Sequence, residues 1–418
     1  MDFNTLKEDA QRLVDRGSFL ESFVLPDYEQ FNIVNVGSVV GKIFSVKSLM
    51  KVNLSNNVLD DFSGIEKIVL FVVDGLGYNR LVSHMENHRG AFYDLVDRGV
   101  LKPFTSCFPS TTSSALTSIF TGLPPSLHGV VGFNMFVPSY GMIFNTLDMS
   151  PVVGYSSGID LADFLARDSF PWPPKLVDEG VTVRTFTRRN LIGSGLSKLI
   201  HRHQELGGYA LASDMMVGVR KSLEQPGPQL IIVYYSGIDT LEHSYNPYSE
   251  EVTEELQLFE SALKRQLIEK LSAEIKQKTM LLVTADHGVV ETLKTHFLND
   301  PYISNHFLVP PTGDMRSTYF FPKYGQQEQL REALEGRLEG FRVIRSMDLI
   351  EKNAFGPVKN LDHLQTVVGT ITALSESKNV IIYPYRPREG PQSIYGAHGG
   401  MTPEEMIVPL LSSRLSKL

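Results

Sequence analysis

The sequence predicts an α/β protein with a mainly parallel central sheet and helices on both faces, and three observations predict it. Apolar runs of Val, Ile, Leu and Phe without polar alternation, as in KIVLFVVDG, LIIVYYSGID and MLLVTADHG, read as strands buried on both faces. Helical patterns separate them, as the crossovers between parallel strands require. Each run ends in Asp or His: Asp74 after the first, Asp239 and His243 after the second, Asp286-His287 after the third. In open α/β sheets the carboxyl edge of the strands is where ligands bind.

Along the chain, residues 1–60 read as a short helix and an extended arm, since LPDYEQFNIVNVGSVVGKIF has no strong period. The strand at 66–73 stops at Asp74-Gly75. LKPFTSCF leads through Pro109 into a helix at 112–121, which stops at Gly122 and Pro124-Pro125. VTVRTFT is a further strand, 209–224 a helix, and Gly227-Pro228 introduces the strand at 229–235. The charged stretch 249–277 reads as one long helix with Leu256, Phe259, Leu263, Leu267 and Leu271 on its buried stripe. From 295 to 385 the pattern changes. STYFFPKY, FRVIRSMDLI and NVIIYPY are strand-like around a helical EQLREALEGRLEG, which predicts a small α+β insertion. The expected organisation is therefore an arm at 1–60, a main domain at 61–294 and 386–418, and an insertion at 295–385.

Bulk properties narrow the function. At 418 residues, 42% hydrophobic and 21% charged, the chain can bury a large core. A net charge of -8 offers no basic field for specific nucleic-acid binding. The polar N-terminus, and the lack of any apolar run of about 18–20 residues, predict a cytoplasmic protein without a membrane span. The single Cys107 excludes an intrachain disulfide framework. A homo-oligomer is compatible with all of this.

The chemistry lies at the strand ends. Acids and imidazoles converging on one sheet edge would repel one another or be stranded without water unless they held cations. Asp239 and His243 share one side if the chain turns helical there. Asp286 and His287 can face one ion if the chain is already turning, which Gly288 allows. His398, in YGAHGG, completes the group. Mixed carboxylate and imidazole donors suit zinc, with manganese as an alternative. The hydroxyl cluster Ser110, Thr111, Thr112, Ser113 and Ser114 stands at a helix start. It serves either as an N-cap or, beside a metal, as a nucleophile at a positive helix end.

The motifs VVDGLGYNR, FPSTTSSALTSIFTGLPPSLHG, GIDTLEH, TADHG and GAHGG together resemble the alkaline phosphatase superfamily, and within it the type I phosphodiesterase/nucleotide pyrophosphatase branch. They span residues 67–400. The resemblance implies two zinc ions, one held by Asp74, Asp286 and His287 and carrying the nucleophile, the other by Asp239, His243 and His398. Counting ten residues back from Gly122 implies Thr112 as nucleophile, with Thr111 the neighbouring alternative. The implied activity is cleavage of small-molecule phosphodiesters or nucleotide pyrophosphates through a phospho-threonine. A phosphomonoesterase on the same metals, or a silent metal-binding protein with the same fold, are the rivals.

Two departures from the branch stand out. Phe133 occupies the position counted for a phosphoryl-contacting Asn, so the substrate-binding candidate is Asn134, one residue later. No arginine is placed to clamp a dianionic monoester, and Arg80 reads as a helix-surface charge. Cys107 in C-F-P-S-T lacks the Arg of a sulfatase signature, since Thr111 stands there, and reads as a small buried residue. His128 reads as a loop former and Trp172 as a core anchor, while Asp148, His201, His203 and His306 read as structural or surface residues.

Overall fold

The computed structural model describes residues 1–52, 58–154, 169–202, 204–386 and 393–418. Its centre is a seven-stranded sheet. The strands are β1 (Lys67–Val73), β2 (Val100–Thr105), β3 (Thr182–Arg188), β4 (Glu205–Tyr209), β5 (Gln229–Tyr235), β6 (Thr279–Thr284) and β7 (Ile407–Arg414). They lie in the order β2-β7-β6-β1-β5-β3-β4. β5 and β6 flank β1 in parallel, with Lys67 opposite both Gln229 and Thr279. β7 is inserted antiparallel between β6 and β2. Every residue of β1, β5 and β6 is buried, which is why these strands show no alternation.

Four helices carry the side chains of chemical interest: α1 (Tyr78–Asn87), α2 (Thr112–Thr121), α3 (Gly237–Tyr245) and α4 (Glu250–Leu263). α2 spans the residues expected of it. The long helix expected over 249–277 is instead divided. α4 passes into a π-type turn at Lys264–Ile268, and Ser272 caps a new helix, Ala273–Gln277, by accepting from the Ile275 amide. In the expected extended arm, Val36–Phe44 is a helix. Packing decides it: Trp172 lies over this segment so closely that a Cβ at Gly37 would come within 2.9 Å of its ring. Trp172 is itself buried, as expected, with its indole N–H donating to the Ile119 carbonyl.

A second, antiparallel sheet contains Phe341–Arg345, Ile371–Ser375, Ser317–Pro322, Phe307–Gly313, Asn134–Val137, Met142–Asn145 and Ser150–Pro151, in that order. The expected insertion thus contributes four strands, and 134–151 the other three. FRVIRSMDLI is strand only to Arg345 and turns helical at Ser346–Glu351, where the Ser346 hydroxyl is drawn to the Val368 carbonyl. Asn379–Ile382 leaves this sheet and pairs in parallel with Lys294–Phe297. Arg316, only 1% exposed, ties the second sheet to the first: its Nε and Nη2 donate to the two carboxylate oxygens of Glu405, at 2.7 and 3.1 Å. Among the described residues, no helix is long and apolar enough to cross a membrane.

Candidate metal centre and nucleophile

Parallel pairing of β1, β5 and β6 brings their carboxyl ends to one edge, and the candidate ligands sit just beyond it. Asp74 follows β1 directly, and its amide donates to the Tyr235 carbonyl at 2.9 Å. Asp239 and His243 lie one turn apart on α3. Asp286 and His287 follow β6. His398 comes from the segment before β7, and Thr112 is the first residue of α2.

Two groups of donor atoms result. His287 Nε2 lies 3.4 Å from Asp74 Oδ1 and 3.5 Å from Asp286 Oδ2, and Thr112 Oγ1 stands 3.2 Å from the same nitrogen. Asp239 reaches His243 Nε2 at 3.3 Å with one oxygen and His398 Nε2 at 3.8 Å with the other. The groups share a border, because the His287 and His398 rings stack with centroids 3.7 Å apart. Donor atoms of Asp74, Asp286 and His287 lie within 4.8 Å of one another, as do those of Asp239, His287 and His398. Each imidazole is turned by a carbonyl at Nδ1: Gly396 for His243, Gly288 for His287 and Ser110 for His398. A carbonyl only accepts, so Nδ1 carries a proton in each, and in the neutral His287 and His398 the Nε2 lone pair faces the site.

The electrostatics fit cations. Asp74 Oδ1, Asp239 Oδ1 and Asp286 Oδ2 are buried oxygens without a hydrogen-bond partner. Burial, with Asp286 and Asp239 nearby, raises the Asp74 carboxyl well above its ordinary range. Burial likewise pushes Asp286 up to about 6. Despite burial, His243 holds Asp239 below its usual range, and Asp239 raises His243 to about 9. Burial lowers His287 and His398 to about 4, leaving both neutral and able to ligate. Carboxylates and imidazole nitrogens clustered in this way could hold divalent ions of the borderline class.

The hydroxyl cluster divides by role. Ser110, Ser113 and Ser114 donate to the carbonyls of Gly400, Gly132 and Val130. Thr111 Oγ1 is buried without a partner and faces Asp314. Thr112 is the member that reaches His287. Asn134 stands apart from these contacts; it lines a cavity of about 390 Å³ with Phe133, Thr312, Asp314 and Tyr383. Gly288 matters for space: a Cβ there would lie 2.0 Å from the Glu404 carbonyl oxygen, and its φ is not positive as a turn glycine's would be.

Arg80 is half-buried rather than the expected surface charge: its Nη2 donates to Thr253 Oγ1 at 3.0 Å, because α4 packs across α1 at that point. Cys107 is buried, as expected, and its thiol is pushed up to about 12 by desolvation. His128 is buried, with Nε2 3.0 Å from Ser118 Oγ. His201 packs edge-on against Phe120, while His203 lies outside the described residues.

Three residues near the centre carried no sequence signal. Tyr234 donates its hydroxyl to Asp74 Oδ2, but within IIVYY it reads as core. Glu242, between the ligands of α3, is fully buried with both carboxylate oxygens unpartnered. Asp314 arrives from the second sheet, and a Cβ at Gly399 would touch it at 2.5 Å.

The profile of the type I phosphodiesterase/nucleotide pyrophosphatase family matches residues 68–400. A curated relative, GPI ethanolamine phosphate transferase 3 of Eremothecium gossypii, is 25% identical over 270 residues; the match covers 57% of this chain but only 23% of that protein. Murine ectonucleotide pyrophosphatase/phosphodiesterase 5 superposes with a TM-score of 0.64 at 18% identity, covering 82% of this chain and 87% of its own. Phosphonoacetate hydrolase from Sinorhizobium meliloti, in complex with phosphonoformate, gives 0.62 at 16% identity, covering 84% and 90%. The chain belongs to the type I phosphodiesterase/nucleotide pyrophosphatase family.

Proposed function

We propose that the protein cleaves small-molecule phosphodiesters or nucleotide pyrophosphates, with Thr112 as nucleophile and Asp74, Asp286, His287, Asp239, His243 and His398 as ligands to two zinc ions. The observation that carries this is the Thr112 hydroxyl, 3.2 Å from the imidazole that Asp74 and Asp286 also face. Bound in these two groups, divalent ions would neutralise the carboxylates, lower the pKa of the attacking hydroxyl and stabilise charge on the leaving oxygen. The Thr112 oxygen attacks phosphorus in line, the P–O bond to the alcohol or nucleotide breaks, and water then hydrolyses the phospho-threonine.

Thr111 makes no side-chain cap, so first-turn amides of α2 stay available to a phosphoryl oxygen. Arg80 and Arg316 are engaged by Thr253 and Glu405, so neither serves as the second cationic clamp of a monoesterase. A murine neighbour in its inactive threonine-to-alanine form, in complex with AMP, shares the fold, which supports a nucleotide-type ligand here. Rapid quench with a slow diester, followed by peptide mass spectrometry, should place a phosphoryl adduct on Thr112. Turnover with no adduct on any hydroxyl would sink the covalent route.

Metal binding should strengthen with pH. Burial keeps the Asp286 carboxyl protonated at pH 5 in the metal-free protein, and burial beside Asp286 and Asp239 shifts Asp74 in the same direction. The protonated form of Asp286 contributes stability that is present below the unfolded pKa and lost as pH rises through about 6. An arriving ion must displace these protons, so zinc affinity should rise about tenfold per pH unit between pH 5 and 6 for each proton released. Calorimetric Tm gains on adding zinc should therefore be larger at pH 7 than at pH 5; equal gains would contradict the ligand assignment.

Tyr234→Phe should weaken metal affinity about 10–100-fold, with turnover at saturating metal largely kept, because the donor that orients Asp74 is gone. Competition with a chromophoric chelator reads this directly. Unchanged affinity would show that Asp74 needs no such support.

A further inference from the structure

The helices that lead away from the two ligand-bearing strand ends meet again at a separate set of metal-type donors. We propose that His84, His88 and Glu260 form a further binding site for a borderline transition-metal ion, zinc in class, distinct from the centre at the sheet edge. His84 lies on the last turn of α1 and His88 is its C-cap, so the two imidazoles project from one helix side. Glu260 faces them from α4. The ligand atoms of the three lie within 4.8 Å of one another.

The distances suit one ion. His88 Nε2 is 3.5 Å and His84 Nε2 2.8 Å from the same oxygen, Glu260 Oε2. Zinc bonds of about 2.0–2.2 Å in a tetrahedron put neighbouring donors roughly 3.3–3.5 Å apart. The His88 separation already matches, and the His84 contact needs to open by less than an ångström. A plain His84–Glu260 hydrogen bond would explain the shorter distance only. It leaves unexplained why a second imidazole nitrogen converges on that oxygen from 3.5 Å, too far for a hydrogen bond of its own.

The surroundings look built for the carboxylate. Glu260 Oε1 accepts the Phe92 amide at 2.6 Å, which turns Oε2 toward the histidines. Gly90 leaves the space, since a Cβ there would lie 2.4 Å from Oε2. The side chains of His84 and Glu260 are 2% and 3% exposed, whereas that of His88 is 37% exposed, so the ion has an open side where water completes the tetrahedron. Two imidazoles and one carboxylate select zinc-like ions over calcium or magnesium, which prefer oxygen. An ion here would bolt α1, which starts just after Asp74, to α4, which follows Asp239 and His243. Its effect should be on stability rather than turnover.

Equilibrium dialysis of the full chain against micromolar zinc, with metal counted by mass spectrometry, tests the site. His88→Ala and the size-matched His88→Gln should each hold one ion fewer per chain than wild type, with kcat on a nitrophenyl diester unchanged. His88→Cys should recover the ion and, loaded with cobalt, show a thiolate charge-transfer band. The difference of one ion is independent of how many ions the sheet-edge centre holds, so the result stands or falls apart from the catalytic reading. Equal zinc content in wild type, His88→Ala and His88→Gln would overturn the proposal.

Discussion

Thr112→Ala should lower turnover of a phosphodiester on the order of 10⁴-fold or more while metal content stays at the wild-type level. The six carboxylate and imidazole donors remain after the change, so the variant isolates the hydroxyl from the ligand set. Thr111→Ala should stay within a few-fold of wild type, because Thr111 Oγ1 faces Asp314 while Thr112 Oγ1 faces His287. Thr112→Ser should keep measurable activity through its hydroxyl. Steady-state kinetics on the three variants, with metal analysis of each, decide the matter. An inactive Thr111→Ala beside an active Thr112→Ala would move the nucleophile by one residue.

Arg316→Met should cost about 3–5 kcal/mol of stability, the largest effect expected of a change that removes no candidate ligand. Its guanidinium meets both oxygens of Glu405 and also donates to Ser375 and to the carbonyls of Ser377 and Asn379. Burial alone would raise the Glu405 carboxyl, yet Arg316 holds it below its ordinary range. Without Arg316 that carboxylate keeps the amide of Gly400 and the hydroxyl of Thr402 but loses its counter-ion. Arg316→Lys should recover only part of the loss, since an ammonium cannot make the paired contact. Urea unfolding measures both; a loss below about 1 kcal/mol for Arg316→Met would show that the pair contributes little.

The residues at the strand ends were legible because their context is local. A run such as KIVLFVVDG carries its strand, its burial and its terminal Asp74 within nine letters, and parallel pairing then brings such ends together. The hydroxyl cluster was legible as a group at a helix start but not in its contacts: Ser110, Ser113 and Ser114 meet carbonyls, whereas Thr112 meets His287. Features set by distant partners were not legible. Val36–Phe44 is helical under Trp172, and 134–151 becomes sheet against strands from beyond residue 300. Arg316 and Glu405 stand 89 residues apart, and nothing local to either marks them as a pair. Tyr234 hides as a strand residue because its ring is core and only its hydroxyl serves Asp74.

The order of residues along the chain bears on how the protein is made. A nascent chain stalled just beyond residue 300 already owns Asp74, Asp286 and His287, yet it lacks His398 and the last strand of the sheet. Until β7 inserts between β6 and β2, the strand β2 has no hydrogen-bonded link to the rest of the sheet. On the proposed ligand assignment, the second donor group and the last strand of the sheet therefore arrive together, from the final stretch of the chain.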